Sequence, residues 1–377
     1  MKFLHSADLH LGSPLRAAGA RDAGAVLDRA VGGVVERIAD LALREKVQAV
    51  ILAGDIFDSD APDVTLRARF LAQLRRLTGA GIAVIAIRGN HDELLDLGRF
   101  GPPGDGIFLL DRETPTALVG DVAFHGLGFE GRAPRSTLPD YPAAHPGRLN
   151  VGLMHTSLDG APGHDPYAPC RTGDLLAHGY DYWALGHIHK RSERVDQGVA
   201  VVMPGIPQGR HINEDAGGTV TLATLGGNPD LRQVPVETVR WERRELDAQD
   251  LDEGDLLNAF AALPEGPPFR MVRWVARGAV LPEGELLDLA REAIEGRDDV
   301  AVEAVRRAAP PPPEAGILTD LMMQEVQRAS YLDEAKAFLS EWRDALPSEI
   351  RDELAEEHLD DLIAEGLAAA TQAVRGA

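Results

Sequence analysis

Two short apolar runs, Val47–Ala53 and Ile82–Ile87, do most to limit how this chain can fold. Apolar residues without strict alternation suit strands buried on both faces, and such strands need cover above and below. The stretches around them provide it. A helix is expected over about 22–45, with Val26, Ala30, Val34, Ile38 and Leu41 at helical spacing, and another over about 63–78. With a first strand in residues 1–7, the chain reads as a β-α-β-α-β series, the rhythm of a parallel sheet.

After a Gly/Pro-rich loop, Gly101–Gly106, the pattern turns to shorter strands: Ala117–Val119, Val122–His125, Leu149–His155, Tyr182–Leu185, Val199–Val202 and Thr219–Leu225. Parallel strands first and mixed strands later predict an α/β sandwich of two sheets with helices outside, over residues 1–235. Residues 240–308 read as a small α+β unit, with helices at Leu256–Leu263 and Leu286–Ile294 and strands at Met271–Ala276 and Val300–Val305. Pro310–Pro313 lies in a stiff linker over 309–316. A helical tail is expected over 317–377, with too few apolar residues for its own core. It either folds back on its own body or docks in a partner's groove.

The 377 residues, 44% hydrophobic and 26% charged, are enough for a full core and a second domain. The single cysteine, Cys170, excludes a disulfide within the chain and fits a reducing compartment. Met1–His5 runs directly into Asp8 and His10, and no apolar stretch approaches membrane-spanning length, so the expectation is a cytoplasmic protein with no membrane partner. A net charge of −22 argues against gripping a polyanion through a broad basic surface. From Glu314 onward 15 acidic residues face 5 basic ones, a net of −10, so the tail carries nearly half of the imbalance. Arg67, Arg69, Arg75 and Arg76 read as a solvated helix face. Lys190, Arg191 and Arg194 follow a histidine motif where a phosphate backbone would pass, and Arg240, Arg243 and Arg244 form a third group.

Chemistry-bearing residues gather where strands end, and in parallel α/β folds sites lie beyond the carboxyl ends of strands. Asp8 and His10 stand two apart at a strand end, where extended geometry points both to one side. Asp55, at the mouth of a buried strand, is poorly solvated unless donors or a cation meet it. Asn90 offers a neutral carbonyl oxygen to a hard cation, and His91 beside it is free to protonate or stabilise a leaving oxygen. His155 closes another strand, and His187 and His189 alternate after Leu185. Singly, each of these is an ordinary surface or core residue. Jointly they have the composition of a site for two divalent ions, with Asp55 as the bridge.

The set Asp8-x-His10, Gly54-Asp55, Gly89-Asn90-His91-Asp92, His155 and Gly186-His187-x-His189 resembles the calcineurin-like metallophosphoesterase superfamily. Within it the chain is similar to the SbcD-type DNA repair nucleases, and to their YhaO-like subfamily. The finer likeness rests on His5–Pro14, Tyr167-Ala168-Pro169, Asp181–Lys190, Pro204-Gly205 and Gln208–Asn213, and covers about residues 1–225. The resemblance implies a metallophosphoesterase sandwich with a capping domain at 240–308. It implies one ion held by Asp8, His10, Asp55 and His189, and a second held by Asp55, Asn90, His155 and His187. His91 takes the place of the leaving-group histidine. Manganese is the metal that branch favours, although iron, zinc and magnesium remain open. Many relatives carry a histidine where Asp58 stands, which puts any accessory role there in doubt. Lys190, Arg210 and His211 are candidate substrate contacts, while Arg210 and His211 read equally as a turn-stabilising pair.

The resemblance further implies a DNA exonuclease, with endonuclease action as an addition, working in DNA repair or end processing. Its partner would be an SMC-like coiled-coil ATPase docking on the tail, with a homodimer through the nuclease domain and association with the nucleoid. Two other readings stay open. One is a phosphatase or cyclic-nucleotide phosphodiesterase using the same site on a small ester. The other is an idle scaffold that docks the ATPase and tethers DNA ends.

Overall fold

A computed structural model describes residues 1–308 apart from 16, 18–22, 60–62, 97–104, 130–135 and 161–167. Tyr167 and the regions expected to form the Pro-rich linker (309–316) and the tail (317–377) lie outside the described residues. Met1–Arg307 form one compact unit and Ala308–Ala377 a second. In chain order the elements are β1 (Lys2–Ser6), α1 (Gly24–Glu45), β2 (Ala49–Ala53), α2 (Val64–Gly79), β3 (Ala83–Ile87), β4 (Ile107–Leu109), β5 (Thr116–Val119), β6 (Val122–Gly126), β7 (Leu149–His155) and α3 (Thr172–Ala177). There follow β8 (Tyr182–Gly186), β9 (Ser192–Asp196), β10 (Val199–Met203), β11 (Thr219–Thr224), β12 (Asp230–Pro235), β13 (Val239–Asp247), α4 (Glu253–Ala261), β14 (Phe269–Arg277), α5 (Glu283–Glu292) and β15 (Val300–Ala308).

The strands form two six-stranded sheets, ordered β12-β11-β1-β2-β3-β4 and β5-β6-β7-β8-β10-β9, and a three-stranded sheet β13-β14-β15. In the first sheet β1 to β4 are parallel and β11 and β12 antiparallel. The second is parallel from β6 through β10, with antiparallel β5 and β9 at its edges.

The apolar runs work as double-faced strands. Ile51, Ile85 and Ile87 of the first sheet pack against Phe124, Val151, Leu153 and Ala184 of the second. Their neighbours Val50, Leu52, Val84 and Ala86 turn the other way, onto Val34, Ile38 and Leu41 of α1 and Phe70 and Leu74 of α2. One run thereby buries both faces, each side chain contributing about 1.5–3 kcal/mol. Asp63 caps α2 by accepting from the Thr65 and Leu66 amides. Met154, Trp183 and Leu185 cover the far face of the second sheet beneath Leu138, Tyr141 and Leu175. Arg67 departs from the expected solvated helix face: it is buried against the core side of α2.

The three-stranded sheet packs α4 and α5 over Phe260, Val272, Trp274 and Leu286. A further cluster joins Ala23, Leu27 and Ala30 of the α1 region to Val239, Trp241 and Met271. Among the described residues no helix is long and apolar enough to cross a membrane.

Candidate metal centre

β1, β2, β3, β7 and β8 all deliver their carboxyl ends to one edge of the sandwich, and each continues into an expected ligand. The turns beyond them are laced together. The Asp8 amide donates to Gly54 O (3.0 Å), the His10 amide to Asp55 O (3.0 Å), and the Thr156 amide to Gly186 O (3.1 Å). The zigzag does not continue through Asp8 and His10. Both are left-handed (φ 54° and 43°), as are Asp55 (51°) and His187 (100°). Positive φ at non-glycine residues costs roughly 1–3 kcal/mol each and is held only where surroundings impose it. Asp8 and His10 still meet, through tight turns rather than extended geometry.

Potential ligand atoms of Asp8, His10 and His189 lie within 4.8 Å of one another, as do those of His10, Asp55 and His91, and those of Asp8, Asp55 and His155. Asp55 sits between the groups, with Oδ2 3.7 Å from His10 Nε2 and 3.4 Å from His155 Nε2. Its Oδ1 accepts from the His91 amide at 2.9 Å. Asn90 Oδ1 stands 3.0 Å from His155 Nε2 and 3.2 Å from His187 Nδ1. The His187 amide donates to both Asp8 oxygens, at 3.0 and 3.1 Å. Asp8, His10, Asp55 and His155 are buried, Asn90 is partly so, and the His91 side chain is exposed.

Imidazole orientation tests the fit to cations. His10 Nδ1 faces Asp58 Oδ1 at 3.1 Å, and His189 Nδ1 faces Glu214 Oε1 at 2.8 Å. A carboxylate can only accept, so each Nδ1 donates to its carboxylate and Nε2 is the nitrogen left to accept; Arg210 Nη2 also lies 3.3 Å from His189 Nδ1. Those two Nε2 atoms face each other at 3.1 Å. Two lone pairs so close are relieved by a proton or a shared cation between them, and metal-binding imidazoles are oriented through their other nitrogen in this way. His155 repeats the device, its Nδ1 donating to Ala53 O at 3.0 Å. The donor set of carboxylate, amide oxygen and imidazole suits divalent ions such as manganese, zinc or iron. The residues fit a two-ion centre.

The electrostatics agree. Burial works to raise Asp55, but His155 and His10 outweigh it and hold the carboxyl below the usual range. Burial pushes Asp8 up and His10 down. Burial would lower His155, yet the Asp55 and Asp8 charges dominate and bring it to about 9. A proton and a cation therefore compete for the same Nε2. Asp92 is raised to about 6 by burial and by the Asp55 charge.

His91 places its ring 4.7 Å from that of His10, on the exposed rim. Lys190 is exposed beside His189, whereas Arg191 pairs with Glu193 and Thr221, and Arg194 with Asp196. Arg210 bonds to Glu214, and His211 Nε2 lies 3.9 Å from Glu214 Oε1. Two residues outside the expected ligand set matter here. Asp58, the departure from the resembled pattern, meets His10 Nδ1; Glu214 meets His189 Nδ1. The position of Glu214 immediately after the Gln208–Asn213 phrase was the one available signal for it. A cavity of about 420 Å³ lined by His189, Lys190, Ile206 and Glu214 adjoins the centre. It shares Asp215, Ala216 and Gly217 with a cavity of about 660 Å³ reaching Arg240, Arg243 and Arg244.

Residues 1–191 match the family described as Calcineurin-like phosphoesterase. The metallophosphoesterase YhaO of Bacillus subtilis (strain 168) is 30% identical over 81% of this chain and 77% of its own length. The DNA double-strand break repair protein Mre11 of Aeropyrum pernix is 30% identical over 70% of this chain and 67% of its own. Among solved structures, a dimetal phosphatase from Danio rerio aligns over 63% of this chain and 99% of its own at 13% identity, with a TM-score of 0.39.

Proposed function

The chain belongs to the calcineurin-like phosphoesterase family, and we propose that it is a two-metal DNA phosphodiesterase that trims or opens DNA ends. The observation that carries the hydrolytic part is the opposition of two imidazole nitrogens, His10 Nε2 and His189 Nε2 at 3.1 Å, with His10 Nε2 3.7 Å from the Asp55 carboxylate. Asp8, His10, Asp55 and His189 would hold one ion, and Asp55, Asn90, His155 and His187 the other. Manganese is our choice of metal. Bound there, such ions supply Lewis-acid chemistry, lowering the pKa of water and neutralising charge that develops on the phosphate.

The protein's own residues do the rest. Asp55 would serve both ions, and its hydrogen bond from the His91 amide ties the base of the site to the rim residue that would assist the leaving sugar oxygen. Lys190, exposed beside His189, is the proposed contact for the departing strand's phosphates. DNA is supported further by likeness to a protein described as acting in double-strand break repair. In this reading residues 240–308 cap the nuclease domain and guide DNA. The tail beyond Pro313 binds an SMC-like ATPase, which brings basic surface that a −22 chain lacks.

That charge also favours a second reading, a hydrolase of small phosphate esters. One experiment separates the two: manganese-dependent hydrolysis of end-labelled linear DNA beside a small chromogenic phosphodiester, with Asp55→Ala and His91→Ala as controls. DNA cleavage that disappears in both variants is the expected result. Cleavage of the small ester alone, with the ATPase partner present, would overturn the DNA reading.

A further inference from the structure

We infer that Glu214 is a positioning residue for His189, and that Arg210 acts through Glu214 rather than on substrate. The inference rests on reading the centre as a two-metal phosphoesterase site. Glu214 lies between β10 and β11, 25 residues beyond His189, and its side chain is 9% exposed. Oε1 accepts from His189 Nδ1 at 2.8 Å and from Arg210 Nη2 at 2.9 Å. Oε2 accepts from the Arg210 amide at 2.7 Å and from its Nε at 3.4 Å. Both oxygens are engaged, so the carboxylate is held in one orientation, and with it the imidazole that turns Nε2 toward His10.

Arg210 completes the arrangement. Its Nη1 lies 3.6 Å from Asp58 Oδ1, the oxygen that accepts from His10 Nδ1. One guanidinium thus spans the two carboxylates that orient the two facing imidazoles. Its Nε and both terminal nitrogens face protein carboxylates, which is the wrong disposition for gripping a phosphate. The backbone around the pair is pinned too. Trp241 Nε1 donates to Gly209 O at 2.8 Å, and a side chain at Gly209 would come within 2.5 Å of Glu214 O.

The test is titration of metal-free protein with Mn²⁺ by calorimetry, beside steady-state hydrolysis of a chromogenic phosphodiester. Wild type is expected to bind two ions. Glu214→Ala should weaken one of them roughly 10–100-fold and leave the other unchanged, the usual scale for an outer partner of a metal ligand. Glu214→Gln, which keeps the shape, should weaken the same ion by less. In a His189→Ala background, Glu214→Ala should add nothing, because the pair acts as one unit. Arg210→Ala should weaken that same ion and lower kcat with little change in KM. Two full-affinity ions in the Glu214 variants would overturn the inference. So would an Arg210→Ala protein with raised KM and unchanged metal binding, which would make Arg210 a substrate contact. Fewer than two ions in wild type would instead remove the two-metal reading itself, and the inference with it.

Discussion

A methyl group at Gly89 would lie 2.1 Å from Asp55 Oδ1 and 2.4 Å from the Asp55 amide. The Asp55 carboxylate therefore occupies space that only glycine leaves open. Gly89→Ala should displace it by about an ångström and lower hydrolysis about 100-fold, the scale of such misplacements, with metal affinity falling in parallel. Near-wild-type turnover would show that Asp55 is not fixed by this contact. Behind the centre, His5 is fully buried between Tyr182 OH (3.0 Å) and Leu185 O (3.1 Å), and burial lowers it from 6.5 to about 3. The folded chain keeps His5 neutral where the unfolded chain would protonate it. Its contribution is thus complete above pH 6.5 and is lost as pH falls toward 3, by at most about 1.4 kcal/mol per unit. Denaturant unfolding between pH 7 and 4 should show a steeper stability loss in wild type than in His5→Gln; equal slopes would assign the acid sensitivity elsewhere. The seven residues proposed as ligands could be singled out in the sequence because each stands at or just past a strand end. Asp58 stood out only as a departure from the resembled pattern and Glu214 only by its place after the Gln208–Asn213 phrase; what each meets depends on contacts across 48 and 25 residues.

Between residue and domain, the turns after β2 and β3 depend on one carboxylate. Asp92 accepts from the Gly89 amide (2.8 Å), the Ile56 amide (2.8 Å) and the Phe57 amide (3.2 Å). Asp92→Ala would strand three buried donors at about 1–3 kcal/mol each, so unfolding measurements should show a loss of about 3 kcal/mol or more. A loss below 1 kcal/mol would mean that other groups or water replace the carboxylate. The same scale explains which elements could be read in advance. β2 and β3 are buried on both faces, and their runs are apolar throughout. β9 and β12 carry sequences such as Ser-Glu-Arg-Val-Asp, exposed along most of their length, and β13, Val-Arg-Trp-Glu-Arg-Arg-Glu-Leu-Asp, is buried only at Val239 and Trp241. Edge strands bury too little to leave an apolar signature. The second sheet read as mixed because its antiparallel edges flank a parallel centre.

Across the whole unit Met1–Arg307, Trp241 links the three-stranded sheet to the sandwich. It packs with Ala23, Leu27 and Ala30 and holds Gly209 O, five residues before Glu214. Trp241→Ala should cost about 3–5 kcal/mol by calorimetry. It should also weaken the ion bound through His189, whereas intact metal binding would show that the loop is held without it. The centre as a whole is a claim about two ions sharing Asp55, and manganese content with electron paramagnetic resonance of the loaded protein addresses it most directly. Two ions per chain with an exchange-coupled signal, lost in Asp55→Ala, are expected. One ion per chain, or two that are magnetically independent, would contradict a bridged two-metal site.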